Sequence, residues 1–186
     1  MKNAKEIIRV GLILFVITAL SALLLAFVNK KTAPLIEENN RIKTENSMRT
    51  VLSDAESFEK LDFEGEGVVE AYAAKSGSDI VGVCVVTEAN GYGGAIRVVT
   101  GVSADNKVTG IDILSHSETP GLGANATGDS FKSQYAGKAA GIGVSKGTAK
   151  DNEINAMSGA TITSKAVTAA VNTALEAAGE ILKEAK

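Results

Sequence analysis

Tryptophan is absent, and aromatic residues of any kind make up only 4% of the 186-residue chain. Its 45% hydrophobic content therefore rests on aliphatic side chains and alanine. Cysteine occurs once, at Cys84 in an apolar run, which excludes an intramolecular disulfide and a cysteine-based metal cluster. That residue reads as a small buried hydrophobe. Histidine also occurs once, at His116, far from Cys84 in sequence, so neither a zinc site nor a Cys–His dyad is expected. Neither charge sign is in large excess: 19 Lys and Arg against 22 Asp and Glu leave −3, which gives a nucleic-acid partner no electrostatic support. No internal repeat or low-complexity tract is present. The carboxylates are scattered, with no pair to place across a common cleft, and His116 has no partner nucleophile of the triad type. No catalytic residue and no metal ligand is assigned.

What the chain does have is a long apolar run. Val10 to Val28 is 19 residues without a charge. As a helix it is about 28 Å long, close to the ~30 Å hydrocarbon core of a bilayer. It is longer than the apolar region of a signal peptide, and the exit through Asn29-Lys30-Lys31 lacks a small-x-small cleavage site. A single transmembrane helix over 10–28, behind a short tail over 1–9, is the expectation. Lys2, Lys5 and Arg9 precede the span and Lys30 and Lys31 follow it, so charge counting does not orient it. Residues 29–66 read as a helical stalk and linker. Pro34 suits a first helical turn, and Ser53 to Gly67 is polar and acidic.

The folded domain is expected over 67–186, in the α+β class, with an antiparallel sheet packed by a C-terminal helix. Strand candidates are Gly67–Ala73, Ile80–Thr87, Ala95–Val102 and Lys107–Leu114, separated by turn clusters such as Ser76-Gly77-Ser78-Asp79. A short helix is expected around Asp129 to Tyr135 and an edge strand around Ile142 to Lys146. From Thr163 to about Lys183, Val167, Val171, Ala174-Leu175, Ala178 and Ile181-Leu182 recur at steps of three or four, the mark of a helix with one apolar face.

Three glycine-bearing stretches stand out. Asn90-Gly91-Tyr92-Gly93-Gly94 reads as a long hairpin loop, or as bare backbone around a planar ligand with Tyr92 as a stacking face. His116 to Gly123 contains a Pro-Gly turn flanked by Glu118 and Thr119. In Ser158-Gly159-Ala160-Thr161-Ile162-Thr163-Ser164, nearly bare backbone precedes hydroxyls at a helix start, where unpaired N–H groups and a partial positive charge suit a phosphate. A turn with a Ser/Thr N-cap is the plainer reading of that last stretch taken alone.

Together the three blocks, in this order behind an N-terminal span, resemble the FMN-binding-domain family. The likeness is closer to the G subunits of Rnf electron-transport complexes and less close to the C subunits of sodium-translocating NADH:quinone reductases. The resemblance implies that the Thr161 hydroxyl carries FMN through a phosphoester, formed by a dedicated flavin transferase with FAD as donor. Ser158, Gly159, Ala160 and Thr163 would surround the attachment. Glu118, Thr119, Gly121, Leu122 and Gly123 would border the isoalloxazine ring, with Tyr92 stacking or nearby and His116 behind. The family pattern usually has Asp where this chain has Asn155. The resemblance also implies a domain on the extracytoplasmic side of the cell (inner) membrane. Its partners would be the other membrane subunits of a complex that passes electrons between reduced ferredoxin and NAD+ and moves Na+ or H+. The quinone-reductase subunit, a flavin-free anchoring domain and a soluble secreted flavoprotein are the alternatives.

Overall fold

A computed structural model describes residues 2–184, with side chains from residue 4 to residue 184. Its main sheet is an antiparallel meander of five strands in sequence order. They are β1 (Ser57–Leu61), β2 (Val68–Ser76), β3 (Asp79–Asn90), β4 (Ala95–Ser103) and β5 (Val108–Ser115). Before the sheet runs α1 (Lys2–Val51). After it come α2 (Asp129–Lys132), flanked by short 3-10 turns, then β6 (Gly143–Ser145), β7 (Glu153–Asn155) and α3 (Thr161–Glu184). The chain divides into two units, one up to Ile42 and one from Lys43 onward.

In the first unit α1 is one uninterrupted helix. The stretch expected as a tail, 1–9, is helical from Lys2, and Pro34 lies inside the helix instead of opening a new one. Proline removes one N–H from the ladder, so one carbonyl loses its helical partner, but the turns on both sides persist. Among the described residues, α1 is the one helix long and apolar enough to cross a membrane. Side chains such as Phe15 and Leu25 stand exposed along it.

The second unit has the expected α+β class but one more layer than expected. α3 covers one face of the sheet, where Val83, Val85, Ile96, Val98 and Ile113 meet Val167, Val171, Ala174 and Leu175. On the opposite face Cys84, Val86, Val99 and Leu114 pack against Met48, Val51 and Leu52 from the last turns of α1. Both faces of β3 are thus covered, so Gly82 to Thr87 is buried at every position. Two-sided burial is why this segment reads as a continuous apolar run and not an alternating one. The close approach of α1 depends on Gly101 and Gly110, which pair across β4 and β5. A Cβ on Gly101 would lie 2.7 Å from the Val51 carbonyl oxygen. Thr109 Oγ1 donates to that same oxygen at 2.5 Å, satisfying a carbonyl that the helix end leaves open. Lys43 Nζ donates to the Leu114 carbonyl, and Ser47 Oγ to Asp112 Oδ2 at 2.7 Å.

Three expectations need correction. The stretch from Ser53 to Gly67 is not only linker, because Ser57–Leu61 forms edge strand β1. Its charge-rich sequence, with Phe58 and Leu61 three apart and no alternation, fits an edge and hides it as a strand. The compact unit begins at Lys43, not at residue 67. The strand expected around Ile142 to Lys146 does not extend the main sheet. It forms β6, which pairs in parallel with β7 as a separate two-stranded sheet. Ile142 and Ile154 are buried in the α3-side core.

Candidate functional site

The residues of the three glycine-bearing stretches converge at the N-terminal end of α3. There a cleft of about 450 Å³ is lined by Tyr92, Glu118, Thr119, Leu122, Gly123, Gly159, Ala160, Thr161, Ile162 and Thr163. The volume lies within the roughly 300–1,000 Å³ typical of small-molecule sites.

The stretch before α3 is a braced turn. Gly159 has φ +70°, a conformation other residues seldom adopt, and a Cβ there would sit 3.1 Å from Leu122 Cδ2. The Ala160 N–H donates to the Met157 carbonyl at 3.1 Å. Ser164 Oγ accepts from the Met157 N–H at 3.0 Å and donates to the Ala160 carbonyl at 2.9 Å. Thr161 is the first residue of α3 and half-buried. The ladder's first bond runs from the Ser164 N–H to the Ala160 carbonyl. The preceding N–H groups of Thr161, Ile162 and Thr163 therefore form the positive end of a 24-residue helix.

Glu118 ties the three stretches together. It is only 6% exposed. Oε1 accepts from the Gly93 N–H at 2.8 Å, and Oε2 accepts from Thr163 Oγ1 at 2.5 Å. Burial pushes the Glu118 pKa up. The hydrogen bonds from Thr163 and from the Gly93 and Tyr92 backbone outweigh it, with help from His116, and hold the carboxyl below its ordinary value. The glycines around it are spacers. A Cβ on Gly91 would strike Glu118 Oε1, and one on Gly123 would strike Glu118 Oε2 and come within 2.6 Å of Thr163 Oγ1. Gly91 and Gly123 thus answer a packing requirement around one carboxylate, while Gly93 is kept bare by the Ser117 carbonyl.

The rim differs from this polar floor. Tyr92 is 74% exposed, Ile162 56% and Leu122 44%, each from a different stretch. These are apolar surfaces beside a cleft whose other end is a helix N-terminus. A ligand with a flat apolar ring and an anionic tail matches both.

Of the residues singled out in the sequence, Tyr92, Glu118, Thr119, Leu122, Gly123, Gly159, Ala160, Thr161 and Thr163 all line this cleft. Ser158 and Gly121 do not. Ser158 is exposed on the turn before Gly159, and Gly121 takes φ +77° in the loop before Leu122. His116 does not line the cleft either. Its Nδ1 accepts the Glu118 N–H at 3.1 Å, so it orients the loop. Sequence reasoning misses two residues. Ile162 lies off the apolar stripe of α3 and reads as surface, although an exposed isoleucine in the first turn is a signal. Ser164 reads as one more hydroxyl, although its spacing from Ala160 allows the back-bond it makes. Asn155 Oδ1 accepts the Ala149 N–H at 2.9 Å, a role an Asp oxygen would fill equally well.

Comparison with known proteins agrees with the geometry. Residues 91–176 match the model of the FMN-binding domain, and residues 1–51 match that of the RnfG N-terminal region. The chain is 43% identical to the G subunit of the Na(+)-translocating ferredoxin:NAD(+) oxidoreductase complex of Acetobacterium woodii, over 92% of this chain and 91% of that one. It is 40% identical to the G subunit of the proton-translocating ferredoxin:NAD(+) oxidoreductase complex of Clostridium ljungdahlii, over 84% and 83%. Its fold is similar to that of NqrC from Shewanella oneidensis, with a TM-score of 0.59 at 19% identity, covering 77% of this chain and 99% of that one. The residues that line the cleft all fall within the stretch that matches the FMN-binding domain, and the chain belongs to the family of Rnf complex G subunits.

Proposed function

We propose that this protein is a membrane-anchored flavoprotein subunit that relays electrons through FMN esterified to Thr161, within an ion-translocating ferredoxin:NAD+ oxidoreductase complex. One observation carries the reading: three stretches far apart in sequence meet in a single cleft, with Thr161 on its wall at the start of α3. The helix N-terminus and the bare backbone of Gly159 and Ala160 would hold the phosphate. Leu122, Ile162 and Tyr92 offer apolar surface for the ring. Glu118 and Thr163 fix the loops that carry those residues. When bound, the flavin supplies the electron-transfer chemistry, and the polypeptide supplies position and exclusion of water.

The domain would lie on the extracytoplasmic side, anchored by α1, with the other membrane subunits of the complex as partners. A covalent bond would keep the cofactor from being lost there, and a flavin transferase would form it. The relatives named as ferredoxin:NAD(+) oxidoreductase subunits, and the match of residues 1–51, favour this reading over the quinone-reductase subunit.

The test is Thr161→Ala, expressed with the transferase. Intact mass and in-gel fluorescence are expected to lose the covalent flavin completely, while circular dichroism stays that of the parent. Covalent flavin retained in this variant would defeat the assignment.

A further inference from the structure

The contacts that fix Glu118 leave its charge in place. Both oxygens receive hydrogen bonds, but the donors are neutral groups: the Thr163 hydroxyl and the backbone N–H groups of Gly93 and Tyr92. Among the described residues no lysine or arginine is ion-paired with it. His116 meets the Glu118 N–H through an accepting Nδ1. The side chain is nevertheless buried, and it lines the cleft directly. A buried charge acts over several ångströms with little screening.

We propose that the Glu118 carboxylate lowers the reduction potential of the flavin held in this cleft, acting as a fixed negative charge as well as a tie between loops. The inference rests on the flavin reading above. Two electrons from an external low-potential donor and one proton from water convert the oxidised ring to a reduced ring carrying one more negative charge. A neighbouring carboxylate opposes that added charge, so the oxidised form is favoured. Glu118 is thereby a positioning and tuning residue, and it makes the site a stronger reductant than the same cleft with a neutral side chain.

Glu118→Gln separates charge from shape. The amide oxygen can still accept the Gly93 N–H, and the amide N–H can donate to Thr163, whose hydroxyl also accepts. The full chain, wild type and variant, is produced with the transferase and checked for flavin by intact mass. It is then titrated with dithionite in a spectroelectrochemical cell. The expected result is a tenfold or larger shift of the equilibrium toward the reduced form in Glu118→Gln, about 30 mV for a two-electron couple. An unchanged potential in a loaded Glu118→Gln would overturn the inference and leave the flavin reading standing.

Thr163→Val is the structural control. It removes a hydrogen bond to the carboxylate and keeps the charge, now less shared, so its potential is expected to fall. If Glu118→Gln does not fold, this variant decides, and an unchanged or raised potential would overturn the inference. A wild-type chain without flavin would defeat the functional reading and this inference together.

Discussion

The two ends of α3 each border a cleft, and the larger one is chemically poorer. The cleft at the N-terminal end measures about 450 Å³. The one at the C-terminal end, lined among others by Asp105, Asn106, Glu176, Glu180 and Lys183, measures about 580 Å³. One helix serves both, but its dipole is positive at the first and negative at the second. Three carboxylates line the second, so an anionic ligand is repelled twice over. Glu118 and Thr163 at the first have no counterpart there, where Gly179 instead leaves room for the Asn106 amide. What sets the two clefts apart is helix polarity together with a buried tie between loops, and not the amount of empty space.

Val171→Asp should remove both clefts at once. Val171 is fully buried between α3 and the sheet, and an unpaired carboxylate there costs roughly 3–5 kcal/mol. Circular dichroism on heating should show no cooperative transition. A stable, flavin-loaded variant would mean that the buried face of α3 is misassigned.

Gly123→Ala should damage the N-terminal cleft alone. The added methyl meets Glu118 and Thr163, a cost of roughly 1–3 kcal/mol by overpacking. The urea midpoint should fall together with the fraction of chains carrying flavin. An unchanged midpoint would show that the loop yields without cost and that the tie is loose.

Acid should weaken the N-terminal cleft as well. The Glu118 and Asp112 carboxyls are both held below their ordinary values. In each, burial acts upward and is outweighed, for Glu118 by Thr163 and the loop backbone, for Asp112 by hydrogen bonds from Ser47 and Lys132 and the charge of Lys132. A lowered folded-state pKa contributes stability that is fully present above the unfolded value, about 4 for carboxyls, and is lost as pH falls through the folded value. Chemical denaturation should give a plateau at neutral pH and a decline below about pH 4. Glu118→Gln should flatten part of that decline, and a curve identical to wild type would show that the carboxylate is not stabilised by folding.

Glu180→Lys should do least. The residue is exposed at the far cleft, and surface changes of this kind stay within about 0.5 kcal/mol. Flavin loading should match wild type. Loss of flavin in this variant would erase the distinction between the two ends.

Much of this architecture is legible in the residues alone. The step of three or four from Val167 to Leu182 marks α3, because a helix buried on one side must repeat its apolar residues at that spacing. The β2–β5 hairpins show in their turn residues. The three glycine-bearing stretches are recognisable by type and order, but their meeting point is not. Nothing in sequence spacing says that Gly91 and Gly123 crowd the same carboxylate, since Gly123 lies near Glu118 in sequence but Gly91 reaches it from a separate loop. The second helical layer is hidden for another reason. Met48, Val51 and Leu52 continue a sparse pattern that also fits an exposed stalk, and the glycines that receive them, Gly101 and Gly110, read as weak points in strands. β1 is hidden by its charges.

The last turns of α1 bear on how a water-soluble version should be prepared. Cutting the chain at residue 67, where composition suggests the domain begins, would strip away Met48, Val51, Leu52 and the whole of β1. Cys84, Val86 and Val99 would then face solvent, and such a fragment would aggregate. A cut just ahead of Lys43 discards the greasy segment and keeps the sheet clad on both sides.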